Sequence, residues 1–225
     1  MNGLQFVKKA GRAVFSRLRE AEWRHYKKRR KSRLKNTDFT IIASNCNGSF
    51  MYYDCGLRYL TPTVNLAMTM DDFVKMAERL PWYMEQSIVQ AEETQGCPAG
   101  ILGGDVRIEF VHYPTFEEGV RKWEERKKRI NWENLFLVGT EKDGCTKETI
   151  RRFERLPYPN KVLFTRREYP EYPSTYYIRG FEDRQELGVL TFYKKQLRKR
   201  RYLDDFDYVA FLNRERPGQT GGGGD

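Results

Sequence analysis

A short apolar run with β-branched residues, Phe39-Thr40-Ile41-Ile42-Ala43-Ser44, breaks into small polar residues around Cys46. This predicts a strand buried on both faces, then a polar turn in which Gly48 relaxes the backbone. Strand-like and helix-like stretches alternate from Thr37 onward. Further strands are predicted over Val64–Thr69, Val106–His112, Leu135–Thr140, Lys161–Thr165 and Thr175–Ile178. Asp71 or Asp72 is expected to cap a helix from Phe73 towards Glu93, kinked or broken at Pro81. Gly96–Gly100 reads as a loop. Thr115 to Glu118 form a capping box that opens a helix to about Ile130, and Thr146 caps a helix over Lys147–Leu156. The alternation predicts an α/β fold, a three-layer sandwich with a largely parallel, Rossmann-like sheet.

The N-terminal pattern differs. Leu4, Val7, Val14, Leu18 and Ala21 recur at three- and four-residue spacing among basic residues, which predicts a basic amphipathic helical arm. The division expected is an arm over 1–36, an α/β domain over 37–180, a C-terminal extension over 181–217 packing on that domain, and a flexible tail over 218–225.

Charge sharpens this division. The chain of 225 residues has a net charge of +10, and residues 1–36 hold 13 Lys/Arg against 2 Asp/Glu, so the rest is nearly neutral. A basic amphipathic helix suits the headgroup region of an anionic membrane. Lys8, Lys9, Arg12, Lys27, Lys28, Arg29, Arg30 and Lys31 are the expected contacts. A solvated helix and a docking arm for a protein partner stay open. No recognition motif accompanies the charge, so nucleic acid is not an expected partner. With no signal-peptide pattern and no bilayer-length apolar run, the expected location is cytoplasmic, peripheral on the inner face of the plasma membrane.

Cys46, Cys55, Cys97 and Cys145 lack CxxC spacing, and with His25 and His112 they form no zinc pattern, so no metal is expected. In a parallel sheet the carboxyl ends of the strands share an edge. Cys46, His112 and Asp143 each follow a predicted strand, and His112 is the only histidine outside the arm. A thiol made nucleophilic by an imidazole, itself oriented by a carboxylate, is the chemistry these three suggest. The plainer readings are a buried structural thiol, a pre-helix histidine and an Asp-Gly turn. Ser44, Asn45, Asn47, Gly48, Thr61, Thr63, Arg126, Arg129 and Thr165 are candidate substrate or cofactor contacts. Asp71-Asp72 and Asp204, Asp205 and Asp207 weakly suggest the carboxylate pairs of a metal–nucleotide site.

The blocks Ile42-Ala43-Ser44-Asn45-Cys46-Asn47-Gly48, Tyr59-Leu60-Thr61-Pro62-Thr63, Phe110-Val111-His112-Tyr113, Trp123 with Arg126, Arg129-Ile130-Asn131 and Asp143-Gly144-Cys145-Thr146 together resemble a family. It comprises bacterial proteins encoded in capsule and exopolysaccharide clusters and catalogued as domain of unknown function 1919. The similarity covers about Asn36 to Ile178. The resemblance implies a role in making or decorating a surface polysaccharide, and favours transfer of an acyl group from acetyl-coenzyme A to a sugar hydroxyl. The expected acceptor is a polysaccharide or a lipid-linked sugar. Asn47 stands where the family is expected to carry a bulky aromatic. A nucleotide-sugar glycosyltransferase and a non-catalytic membrane-docked scaffold are the alternatives.

Overall fold

A computed structural model describes residues 23–94, 96–194 and 200–215. Its order is helix α1 over residues 23–33, β1 Thr40–Ala43, α2 Asn47–Cys55, α3 Met70–Glu78, α4 Leu80–Glu85, β2 Ile88–Thr94, β3 Cys97–Leu102 and β4 Val106–Glu109. There follow α5 Phe116–Lys127, β5 Leu135–Thr140, α6 Lys147–Glu154, β6 Lys161–Thr165, β7 Thr175–Tyr177, a 3-10 turn Tyr202–Asp205 and α7 Tyr208–Leu212.

The fold is mixed α/β with two sheets. One is parallel, in the order β1-β5-β6-β7; the other is antiparallel, in the order β2-β3-β4. Period-2 alternation divides the parallel sheet between two cores. Ile42, Leu135, Leu137 and Leu163 face α3, α4, α6 and the antiparallel sheet. Phe39, Ile41, Ala43, Phe136, Val138, Val162 and Phe164 face α2 and the C-terminal residues Phe181, Leu187, Leu190, Leu203, Phe206 and Phe211. Both faces are covered, which is why β1 and β5 read as continuous apolar runs. The described strands add in one direction without reversal, so the sheet lacks the switch point of a doubly wound fold.

The antiparallel sheet corrects the expected fold. The helix expected towards Glu93 stops at Glu85, and β-branched Ile88-Val89 opens a strand. The expected loop Gly96–Gly100 lies largely in β3, where Gly100 is required because a Cβ would meet Ile88 at 2.4 Å and Phe116 at 2.8 Å. The strand expected at Val64–Thr69 reduces to a single bridge, Ala67 to Glu109. Thr69, rather than Asp71 or Asp72, caps α3 by accepting from the Asp72 N–H. The helix starts at Thr115 and Thr146 are as expected, each hydroxyl accepting from the N–H three residues on.

Helix α1 packs against the C-terminal segment through a buried polar network. Asp54 and Arg201 are 0% and 3% exposed and pair at 2.5 Å. Tyr208 donates to Asp54 at 2.7 Å, Arg201 donates to the Tyr26 hydroxyl at 2.9 Å, and Tyr26 donates to Asp204 at 2.5 Å. Arg30 stacks on Tyr26 and Tyr208 and lies 3.5 Å from Asp204. Among the expected membrane contacts, Arg30 therefore turns inward, and Lys27 lies 3.3 Å over the Tyr53 ring. Lys28, Arg29 and Lys31 are exposed. Lys8, Lys9 and Arg12 lie outside the described residues.

Candidate functional site

The carboxyl ends of β1 and β5 meet the antiparallel sheet around a cavity of about 640 Å³. Met68 and Thr69 contribute one wall, and Met68 N–H donates to the Ser44 carbonyl at the end of β1. Lys142 and Asp143, just past β5, form a second wall. Cys97 and Pro98 from β3, Arg107 and Glu109 from β4, and Val111 and Tyr113 beyond it also line the cavity. Two acids, two bases and a phenol thus converge on one space.

Chain geometry fixes these groups. Glu109 lies on β4 and exchanges both backbone hydrogen bonds with Ala67, at 2.8 and 2.9 Å, so its side chain starts from a rigid strand end. Asp143 has a left-handed φ of 52°, followed by Gly144 at 78°, the turn expected of Asp-Gly. Asp143 accepts from Lys142 Nζ at 2.7 Å, and its N–H donates to Glu186 at 3.0 Å. Burial opposes the charge on Lys142, but Asp143, Glu186 and Glu109 outweigh it and hold the ammonium above the usual lysine range. Tyr113 bridges two elements, donating to the Val64 carbonyl at 3.0 Å and accepting from Arg126 at 2.5 Å. Burial lifts the Tyr113 phenol above its usual range, opposed by Arg126 and reinforced by Glu118 and Cys46.

Asp143 lines the cavity, and His112 is an exposed turn residue between two lining residues, Val111 and Tyr113. His112 follows β4 of the antiparallel sheet, so it does not share the parallel sheet's edge as expected. Cys46 is half-buried at the N-cap of α2, with its Sγ 3.9 Å from the Leu66 carbonyl, and it acts electrostatically on Tyr113. Burial raises its thiol pKa, which disfavours the thiolate. Among the described residues no hydrogen bond joins any two of Cys46, His112 and Asp143. The other thiols are also held protonated: burial and Glu141 push Cys145 up to about 12, and burial and Asp54 push Cys55 up to about 12.

Most of the expected contact residues hold the backbone. β1 is an edge strand, and its outer N–H groups pair with side chains instead of a neighbouring strand. Ala43 N–H donates to Thr63 at 3.0 Å, Ile41 N–H to Tyr52 at 3.2 Å, and Tyr52 in turn to the Phe39 carbonyl at 2.6 Å. Thr61 and Thr63 share a hydrogen bond at 3.1 Å. Asn45 accepts from the Asn47 N–H at 3.1 Å, and Asn47 donates to Thr140 at 3.1 Å. Gly48 lets α2 approach β1, since a Cβ there would lie 2.8 Å from that of Ala43. Thr165 donates to the Arg167 carbonyl at 2.7 Å. Ser44 is buried at the end of β1. Arg126 stacks 5.9 Å from the Tyr59 ring, while Arg129 reaches the Tyr59 carbonyl at 3.4 Å and pairs with Glu125.

The carboxylate pairs are also engaged. Asp71 pairs with Arg152 at 2.5 Å, and Asp207 pairs with Arg33 at 2.5 Å. Sequence reasoning gave no role to Arg107, Glu109 or Lys142. The alternation of Arg107 and Glu109 with buried Ile108 and Phe110 gives β4 a less-buried face on the cavity side.

The fold and cavity define a two-sheet α/β protein with a cavity lined by charged and polar side chains. The chain belongs to the family described as Domain of unknown function (DUF1919), which matches residues 18–213 and so takes in both α1 and α7. It is similar to a Haemophilus influenzae protein described as uncharacterized, 35% identical over 181 residues, which cover 80% of this chain and 87% of that protein. Among the described residues no helix is long and apolar enough to cross a membrane.

Proposed function

We propose that this protein is a carbohydrate O-acyltransferase of surface-polysaccharide assembly, taking an acyl group from acetyl-coenzyme A to a sugar hydroxyl bound in the cavity. The observation that carries this reading is the convergence of Glu109, Asp143, Lys142, Arg107 and Tyr113 on one space. Its volume is in the range of small-molecule sites. Polar side chains of both signs beside an aromatic ring suit a polyhydroxylated ring, which needs donors, acceptors and a flat apolar surface. Elements on both faces of the parallel sheet support the three-layer reading of the fold.

The cavity favours direct transfer over a thiol intermediate. In this scheme the hydroxyl oxygen attacks the thioester carbonyl while its proton passes to the Glu109 carboxylate. The carbon–sulfur bond then breaks, and coenzyme A leaves as a thiol with that proton. Lys142, kept charged by its three carboxylate neighbours, stabilises the developing oxyanion. Asp143 orients Lys142 in place of the expected imidazole.

The test measures coenzyme A release from acetyl-coenzyme A by mass spectrometry, with a panel of mono- and disaccharides as acceptors. Glu109→Gln should lower turnover by about 10²- to 10⁴-fold, the usual contribution of a positioned base, while Cys46→Ser stays within a few-fold of the parent. Loss of turnover in Cys46→Ser with Glu109→Gln active would restore the thiol mechanism and refute direct transfer. Turnover of nucleotide sugars alone would refute acyl transfer.

A further inference from the structure

The network of Asp54, Arg201, Asp204, Tyr26 and Tyr208 fixes which flank of α1 faces solvent. Within residues 23–33 there are seven Lys/Arg and no Asp or Glu. Arg30 and Arg33 are matched by Asp204 and Asp207 of the C-terminal segment. Arg24, Lys28, Arg29 and Lys31 are exposed. Arg24, Lys28 and Lys31 follow i, i+4, i+7 spacing, so they form one row along the helix. Beside that row Tyr53, on α2, is 48% exposed with Lys27 over its ring. The docked face consumes the acids nearby and leaves a cationic flank with an amphipathic aromatic at its margin.

We infer that this flank of α1, Arg24, Lys28, Arg29 and Lys31 with Tyr53 beside it, is a docking surface for an anionic lipid bilayer. Charge complementarity selects the occupant, and the geometry favours a bilayer over nucleic acid. The row is straight, lies on a helix held along its length against the body, and needs no groove to fit. A tyrosine at the edge of a basic helix is the residue type that settles at the headgroup level. The inference does not depend on the acyltransferase reading.

The test is co-sedimentation of the full chain with vesicles of phosphatidylcholine alone and with 30 mol% phosphatidylserine. Each Lys or Arg near such a surface contributes roughly five-fold in partitioning, so Lys28→Gln with Lys31→Gln should weaken binding roughly 30-fold. Raising salt to 1 M should release the parent. Arg121→Gln, on α5, should bind like the parent, and an unchanged melting temperature shows that the double variant is folded. Equal binding of the double variant and the parent overturns the inference, as does equal binding to both vesicle types. Tighter binding to an RNA or DNA oligonucleotide than to anionic vesicles at the same salt would assign the flank to nucleic acid and overturn it too.

Discussion

Removing the Arg201 guanidinium should expose how much the fold depends on joining its two ends. Arg201 is almost wholly buried and donates to Asp54, Tyr26 and Asp204 at 2.5, 2.9 and 2.8 Å. In Arg201→Met a chain of similar length fills the space, but Asp54 keeps a buried charge with only the Tyr208 hydroxyl, at 2.7 Å, still bonded to it. Breaking a buried pair from one side costs about 3–5 kcal/mol. For a domain of this size that is about 6–20 °C in Tm, at about 2–4 °C per kcal/mol. Asp204 loses less, because Tyr26 still donates to it and Arg30 remains near. Urea unfolding of Arg201→Met, Asp54→Asn and the double variant gives the coupling directly. The double variant leaves no buried charge at Asp54, so it should recover about 1–3 kcal/mol relative to the sum of the singles. Single-variant losses below about 1 kcal/mol that simply add would refute a desolvated network and detach α1 from the folded body.

The remaining predictions concern the same edges. Asp204 is held below the usual carboxylate range: burial raises it, but Arg201 and Tyr26 outweigh burial. Its contribution to stability is therefore present above its unfolded pKa and lost as pH falls through the lower folded value. Urea midpoints measured from pH 6 down to pH 2 should fall faster in the parent than in Asp204→Asn. Thr63→Val keeps the shape but leaves the Ala43 N–H unpaired, so it should cost about 1–3 kcal/mol, while Thr63→Ser should restore most of it. Gly48→Ala drives a methyl to 2.8 Å from Ala43 and 3.0 Å from Ile41, and should cost about 1–3 kcal/mol in the same assay.

The parallel sheet was legible because burial on both faces leaves a compositional trace. Leu135–Thr140 and Lys161–Thr165 are apolar runs bounded by turns, and the strands occupy those residues. The antiparallel sheet left a weaker trace. β2 presents Ile88 to the core while its Val89 is exposed, and β3 begins Cys97-Pro98-Ala99-Gly100, a composition that favours a loop. Tertiary packing overrides that preference, since Gly100 is shaped by Ile88 and Phe116, residues distant in sequence.

The cavity was hidden for the same reason. Its walls come from the end of one sheet and the face of another, and a sequence that reveals only the first sheet assigns His112 to the wrong edge. Local chemistry carries two readings. Small polar residues around Cys46 resemble a reactive turn, yet Asn45 and Asn47 secure the start of α2 and its contact with Thr140. Hydroxyls and amides that complete an edge strand have the same composition as a binding loop. What separates them is whether a backbone N–H already occupies the acceptor, as it does at Thr63, or whether the side chain lines a cavity among other charged groups, as Glu109 does, 3.9 Å from Arg107.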